Sequence, residues 1–271
     1  MCKVNLNYKN YFPLTPILIL LISIFLISCD KSSPGTPKKE LLIYCGITMA
    51  NPIKELSKNF EKKHSIKITI TQGGSEDLYQ SLKSTRKGDL YLPGSFSYRK
   101  RHLNEGLLTD FVSLGYNQAA ILVAKGNPKK ITDDLNNFLR DDVSVVIGSP
   151  ESGSIGRETK NILQSQNLYQ QALNNAVYLT SDSRTLNHAL KKGDADVIIN
   201  WKATAFFSNN KDDIDAIPLP QEIAKPKLLA INLLSFSKHP EIAKQFMSYA
   251  ASQEGNQIFK KYGFLIPSDV K

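Results

Sequence analysis

Residues 145–163, VVIGSPESGSIGRETKNIL, read as a buried strand, a turn of glycine and serine, and a helix. The apolar-rich run from Val143 to Ile147 suits a buried strand, the segment from Gly148 to Gly156 cannot continue it, and Ile162 and Leu163 mark an apolar helix face. The same succession occurs earlier. A strand at 41–45 precedes a helix carrying Ile53, Leu56 and Phe60. A strand at 66–70 leads through Gly73, Gly74 and Ser75 into a helix with Leu78, Tyr79 and Leu82, and 89–92 is a further strand. After a helix around 135–139 the pattern restarts at Val143. It continues in a helix from Ser183 carrying Leu186 and Leu190, closed by Gly193, and a buried strand at 196–199. Strands alternating with helices predict parallel sheets flanked by helices, and the restart predicts two. The expected fold class is α/β with two lobes, each a mostly parallel sheet flanked by helices, and a ligand cleft between them.

Long aliphatic strands at 118–124 and 228–234 are the natural crossovers between lobes. Pro240 then starts a helix whose apolar residues include Ile242, Phe246 and Met247, followed by Ile258, Phe259 and Tyr262. These final helices are expected to return to the first sheet. The expected division is 40–120 plus 225–271 for lobe 1 and 121–224 for lobe 2.

The N-terminal segment has a different logic. Lys3 and Lys9 precede an apolar run from Ile17 to Ile27 that ends at Leu26, Ile27, Ser28 and Cys29. As a helix that run reaches about 16 Å, roughly half of a hydrocarbon core. The pattern resembles a lipobox, implying a signal peptide at 1–28 and acylation of Cys29 as the first mature residue, outside the cytoplasm. Residues 29–39 form the lipidated N-terminus and a polar tether with two prolines and a glycine.

Among 271 residues, 34 Lys and Arg against 25 Asp and Glu give a formal charge of +9. A positive balance favours anionic partners. No basic block exceeds Arg99, Lys100 and Arg101, and nucleic-acid binding sits badly with export, so no nucleic-acid partner is expected. Cys2 leaves with the leader, Cys29 is acylated, and Cys45 stands alone in an apolar strand as a buried thiol. There is neither a disulfide framework nor a metal-spaced cysteine pair.

Four turns place small and hydroxyl residues directly before a helix: Gly46, Ile47, Thr48; then Gly73, Gly74, Ser75; then residues 152–156, SGSIG; and Ser181, Asp182, Ser183. Each follows the C-terminal end of a strand, the ligand edge of an open α/β sheet. A helix start leaves backbone N–H groups unpaired and carries about half a positive charge, so an oxyanion can be held there without lysine or arginine. Any one of these turns can equally be an ordinary N-cap; four in one chain favour an anion site. Arg157 and Arg184, just past two of them, can fork onto an anion or remain solvated. Trp201, beside Lys202, can cover a cleft or pack in the core.

Enzyme signatures are poor. Walker A, HExxH, GxSxG and dinucleotide patterns do not occur. His64, His102, His188 and His239 have no ligand-like spacing and are expected on surfaces or helix faces, and Asp194 and Asp196 are expected to be structural. No metal site, cofactor or catalytic residue is expected.

Taken together, LLIYCGITMANPIKELSKNFEKK, TQGGSEDLYQSL, GDLYLPGS, VVIGSPESGSIGRETKNIL, ADVIINW and FMSYAASQEGNQIFKKYGF resemble the extracytoplasmic solute-binding proteins of ABC transporters, type II, and within them the molybdate-binding proteins. The resemblance implies a two-lobed type II periplasmic binding protein that is not an enzyme. It implies an oxyanion held by hydroxyls and backbone amides. Carried over by position, it gives Thr48 and Ser75 as binding hydroxyls, Ile155 through its backbone amide, and Ser183 as a further contact. Gly74, Ser154, Asn200 and Trp201 complete the expected ligand-binding set. Asn200 stands where molybdate binders carry a tyrosine, and Gly94 and Ser95 replace an acidic strand end. A fully deprotonated dianion such as molybdate, tungstate or sulfate wants donors only, whereas protonated phosphate or a phosphonate needs an acceptor; Glu76, Asp77, Glu151 and Asp182 lie near the turns. The implied role is oxyanion capture, molybdate or tungstate first, by a lipid-anchored monomer that delivers to a membrane permease. A periplasmic sensor subunit, or a secreted enzyme using Asp194 or His188 on a small anion, are the alternatives.

Overall fold

The computed structural model describes residues 39–270. The expected leader, the acylated Cys29 and the tether up to residue 38 lie outside the described residues. Among the described residues no helix is long and apolar enough to cross a membrane.

The chain begins β1 (Lys39–Gly46), α1 (Ala50–Lys63), β2 (Ile66–Gly73), α2 (Ser75–Thr85), β3 (Leu90–Leu92), α3 (Ser97–His102) and β4 (Leu108–Asn117). It continues with β5 (Ala119–Ala124), β6 (Val145–Gly148), α4 (Ser154–Ser165), α5 (Tyr169–Asn175), β7 (Ala176–Thr180), α6 (Ser183–Lys192), β8 (Val197–Trp201) and β9 (Ile214–Pro218). β10 (Lys227–Leu234), α7 (Pro240–Ala250) and α8 (Gln253–Lys261) finish it. Two five-stranded sheets result, ordered β2-β1-β3-β10-β4 and β7-β6-β8-β5-β9.

Each sheet is mixed in one way only. β10 runs against its neighbours β3 and β4, and β5 runs against β8 and β9, while the remaining pairs are parallel. The reversed strand is in both cases the one by which the chain arrives from the other sheet. β4 passes to β5 through Gln118 alone, and β9 reaches β10 through residues 219–226. Parallel neighbours need a helix between them; a strand arriving from elsewhere does not.

Alternation along β1 divides the first lobe's core. Leu41, Ile43 and Cys45 pack with Ile53, Leu56 and Phe60 of α1, Phe246 of α7 and Phe259 of α8. Tyr44 faces the opposite way, with Leu78, Tyr79 and Leu82 of α2 and Tyr98 of α3. The C-terminal helices thus return to the first sheet. In the second lobe Val145, Ile147 and Ile199 pack with Ile155 and Ile162 of α4 and Leu186 and Leu190 of α6. Each such buried side chain contributes about 1.5–3 kcal/mol.

Three local expectations change. Residues 135–139 form a 3-10 turn and not an α-helix, because Asn137 Nδ2 bonds back to the Asp134 carbonyl at 2.6 Å and competes with further helical growth. β6 starts at Val145; Ser144 N is instead held by the Asp196 carboxylate at 2.9 Å, a structural role for that aspartate. His102 is buried, not on a surface: its ring stacks on Tyr79 at 3.6 Å between centroids and its Nδ1 lies 2.8 Å from Glu105 Oε1. Cys45 is a buried free thiol, and burial pushes its pKa up.

Candidate functional site

The four glycine and hydroxyl turns meet. Gly46 ends β1 and opens the 3-10 turn Ile47–Met49 before α1, Gly74 precedes α2, Gly153 precedes α4, and Asp182 precedes α6. Together they surround a small cavity between the lobes, with Thr48, Ser75, Ser154 and Ser183 as its hydroxyl residues and Gly74, Gly153 and Ile155 among its other walls. All four hydroxyl residues are buried.

Capping shows what the cavity offers. The turn at Ile47, α2 and α4 begin with no side-chain cap, so their first N–H groups have no intrahelical partner and no capping side chain. At α6 the Asp182 carboxylate takes the N–H groups of Arg184 and Thr185, at 2.8 and 3.0 Å, and leaves that of Ser183. The hydroxyls are oriented as well. Gly94 N donates to Ser75 Oγ at 3.0 Å, and Trp201 Nε1 donates to Ser154 Oγ at 3.3 Å. An oxygen that accepts from an N–H keeps its own proton to give, so Ser75 and Ser154 are preset as donors.

Cations stay outside. Arg157 and Arg184, expected as forks onto an anion, do not line the cavity. The guanidinium of Arg184 donates to Gln72 Oε1 at 3.0 Å, and that of Arg157 lies 4.5 Å over the Tyr98 ring, with Nη2 3.4 Å from Glu76 Oε2. Both have been drawn into contacts between the lobes. Asn200 and Trp201, also expected at the ligand, stand one layer behind. Asn200 is fully buried; its Nδ2 donates to the Ser183 carbonyl at 2.9 Å and Asn187 Oδ1 at 2.7 Å, and its Oδ1 accepts from Trp201 N at 2.8 Å. These residues hold Ser183 and Ser154 in place.

The lobes touch directly around the cavity. Glu76 N donates to the Ser152 carbonyl at 3.0 Å, and Thr48 Oγ1 donates to Ser183 Oγ at 3.2 Å. Glycine is required at two of these contacts. A Cβ on Gly74 would stand 2.6 Å from the Ser152 oxygen, and one on Gly94 would overlap Ser154 Oγ. Gly94 had signalled only an altered strand end, so its role in the contact was missed.

Nearby carboxylates are not equivalent. Burial raises the Glu76 carboxyl, but the Gln80 hydrogen bond and the charges of His102 and Arg157 outweigh it and hold the group below its ordinary value. Asp77 is raised, by burial first and then by the negative neighbours Glu76 and Asp182. Among the described residues no group of three or more His, Cys, Asp or Glu is placed to hold a metal. A larger hollow of about 560 Å³, open to solvent, adjoins between α1 and α6 and shares Ile47 and Ser183 with the smaller cavity. The helix starts converge on the smaller cavity.

A family model described as bacterial extracellular solute-binding protein matches residues 41–265. A putative ABC transporter substrate-binding lipoprotein of Bacillus subtilis strain 168 is 26% identical over 265 residues, covering 95% of this chain and 98% of its own. The molybdate-binding protein of Mycobacterium tuberculosis H37Rv is 20% identical, covering 89% and 93%. Among solved structures, the periplasmic molybdate-binding protein of Azotobacter vinelandii superposes with a TM-score of 0.71 at 15% identity, covering 84% of this chain and 99% of that one. The fold is that of the type II periplasmic binding proteins.

Proposed function

The chain belongs to the bacterial extracellular solute-binding proteins, and from that premise we propose that it captures a small tetrahedral oxyanion, molybdate or tungstate first, for delivery to an ABC permease. One observation carries the reading: four helix starts and four buried hydroxyl residues converge on one small cavity with no lysine or arginine in its wall. The site is rich in donors, which suits a fully deprotonated dianion. Ser75, Ser154 and Ser183 give hydroxyl donors, Thr48 orients Ser183 by giving its own hydrogen to that oxygen, and Gly74, Ile155 and their neighbours give backbone N–H. Charge-assisted hydrogen bonds contribute about 1.5–3 kcal/mol each, so five or six support micromolar or tighter binding after the cost of association. Closure of the lobes excludes water and strengthens each bond. The molybdate-binding relatives support the choice of anion.

Calorimetric titration with molybdate, tungstate, sulfate and phosphate tests this. The first two should bind in the micromolar range or tighter; no heat and no thermal shift with any of the four would sink the reading. Delivery at a membrane rests on Cys29 and its tether, with the lipoprotein relative in support. Changing Cys29 to serine should release the protein from membranes and leave anion affinity unchanged.

A further inference from the structure

Arg157 lies one helical turn beyond the cavity, in α4 of the second lobe, and its side chain crosses to the first. The guanidinium carbon is 4.5 Å from the centre of the buried Tyr98 ring of α3. Its Nη2 is 3.4 Å from both Glu76 Oε2 and the Pro150 carbonyl, and its buried Nη1 has no hydrogen-bond partner. Glu76 is meanwhile held in its own lobe by Gln80 Nε2 at 2.8 Å, with His102 Nε2 at 3.5 Å and Arg101 Nη1 at 3.7 Å.

This is a poor way to fuse two lobes permanently. The contacts exceed the ~2.7–2.9 Å of a good charge-assisted bond, and one guanidinium nitrogen is left unsatisfied. Apolar side chains at the same place would hold the lobes more firmly. They would also have to be exposed to water whenever the lobes part, whereas arginine can be hydrated there. The arrangement suits a contact that forms and releases.

Its position couples it to the ligand. Glu76 and Arg157 sit in the first turns of α2 and α4, whose starts form opposite walls of the cavity, so the contact exists only when those walls meet. A contact present in one of two states shifts the population toward that state. We propose that Arg157 is the latch of the closed cleft, a positioning residue that sets how long a bound oxyanion is retained; this rests on the capture reading of the same site.

Stopped-flow fluorescence from Trp201, the chain's one tryptophan, with molybdate or tungstate gives both rates. Arg157→Ala should speed dissociation about tenfold to one hundredfold, the usual range of coupling, and change association by no more than about twofold. Arg157→Lys should recover only part of the loss, because an ammonium lacks the plane that stacks on Tyr98. Glu76→Gln should add little to Arg157→Ala. Small-angle scattering of the ligand-free protein should show a larger radius of gyration in Arg157→Ala than in wild type. An unchanged dissociation rate overturns the latch even where capture is sound. If no anion binds, capture fails by its own titration, and an unchanged radius of gyration then overturns the latch separately.

Discussion

Trp201 Nε1 donates to Ser154 Oγ at 3.3 Å, and this bond fixes the direction in which the serine can give its proton. The indole N–H is a donor only, so Ser154 Oγ must accept and its own hydrogen is left for the cavity. Trp201→Phe keeps an aromatic ring in the core and deletes the donor. Anion affinity should fall about threefold to tenfold, the worth of an ordinary hydrogen bond. Calorimetry measures it, with circular dichroism to show that the fold is retained.

Gly94→Ala should separate folding from closure. The new methyl group would overlap Ser154 Oγ across the cleft, so each lobe can accept it while the two cannot meet. The ligand-free variant should melt near wild type, and the thermal shift produced by anion should disappear. A full shift in the variant would mean that closure is looser than this contact requires.

The turns that frame the cavity were legible because glycine and hydroxyl residues before an amphipathic helix are local chemistry, confined to a few adjacent positions. β7 was not, since Val177, Tyr178 and Leu179 are all exposed on an edge strand and carry no burial alternation. β4 and β9 escaped notice in the same way, as edge strands at the far side of each sheet. The two arginines were picked out by their spacing from helix starts, which cannot tell a ligand from a carboxylate of the facing lobe: Arg157 meets Glu76 across 81 residues of sequence. Asn200 was singled out as a departure from a family position, and spacing could not reveal that it faces Ser183 from behind.

Asn200→Ala should cost stability. It strips partners from the Ser183 carbonyl, Asn187 Oδ1 and Trp201 N in a fully buried place. Unsatisfied buried groups cost about 1–3 kcal/mol each, and partial relaxation should leave a loss of about 2–4 kcal/mol in denaturant melts. Affinity should fall as well, since Ser183 loses its brace. Asn200→Asp should be worse, because a carboxylate would face two oxygens that now accept.

Asp77 gives the site a pH dependence whose sign follows from its surroundings. Its pKa is raised, by burial and then by Glu76 and Asp182, so between the ordinary value of 3.8 and the raised one the folded protein binds more protons than the unfolded chain. Stability linked to this group is present at low pH and is lost as pH rises through that window. An arriving anion adds negative charge beside Asp77 and raises it further, so binding should take up protons and weaken as pH climbs through the same range. Asp77→Asn should tighten binding at neutral pH about twofold to fivefold, the scale of an exposed charge contact, and flatten the slope. Titrations with sulfate in buffers of different ionisation enthalpy count the protons taken up. Uptake that is equal in wild type and Asp77→Asn would assign the effect to another group.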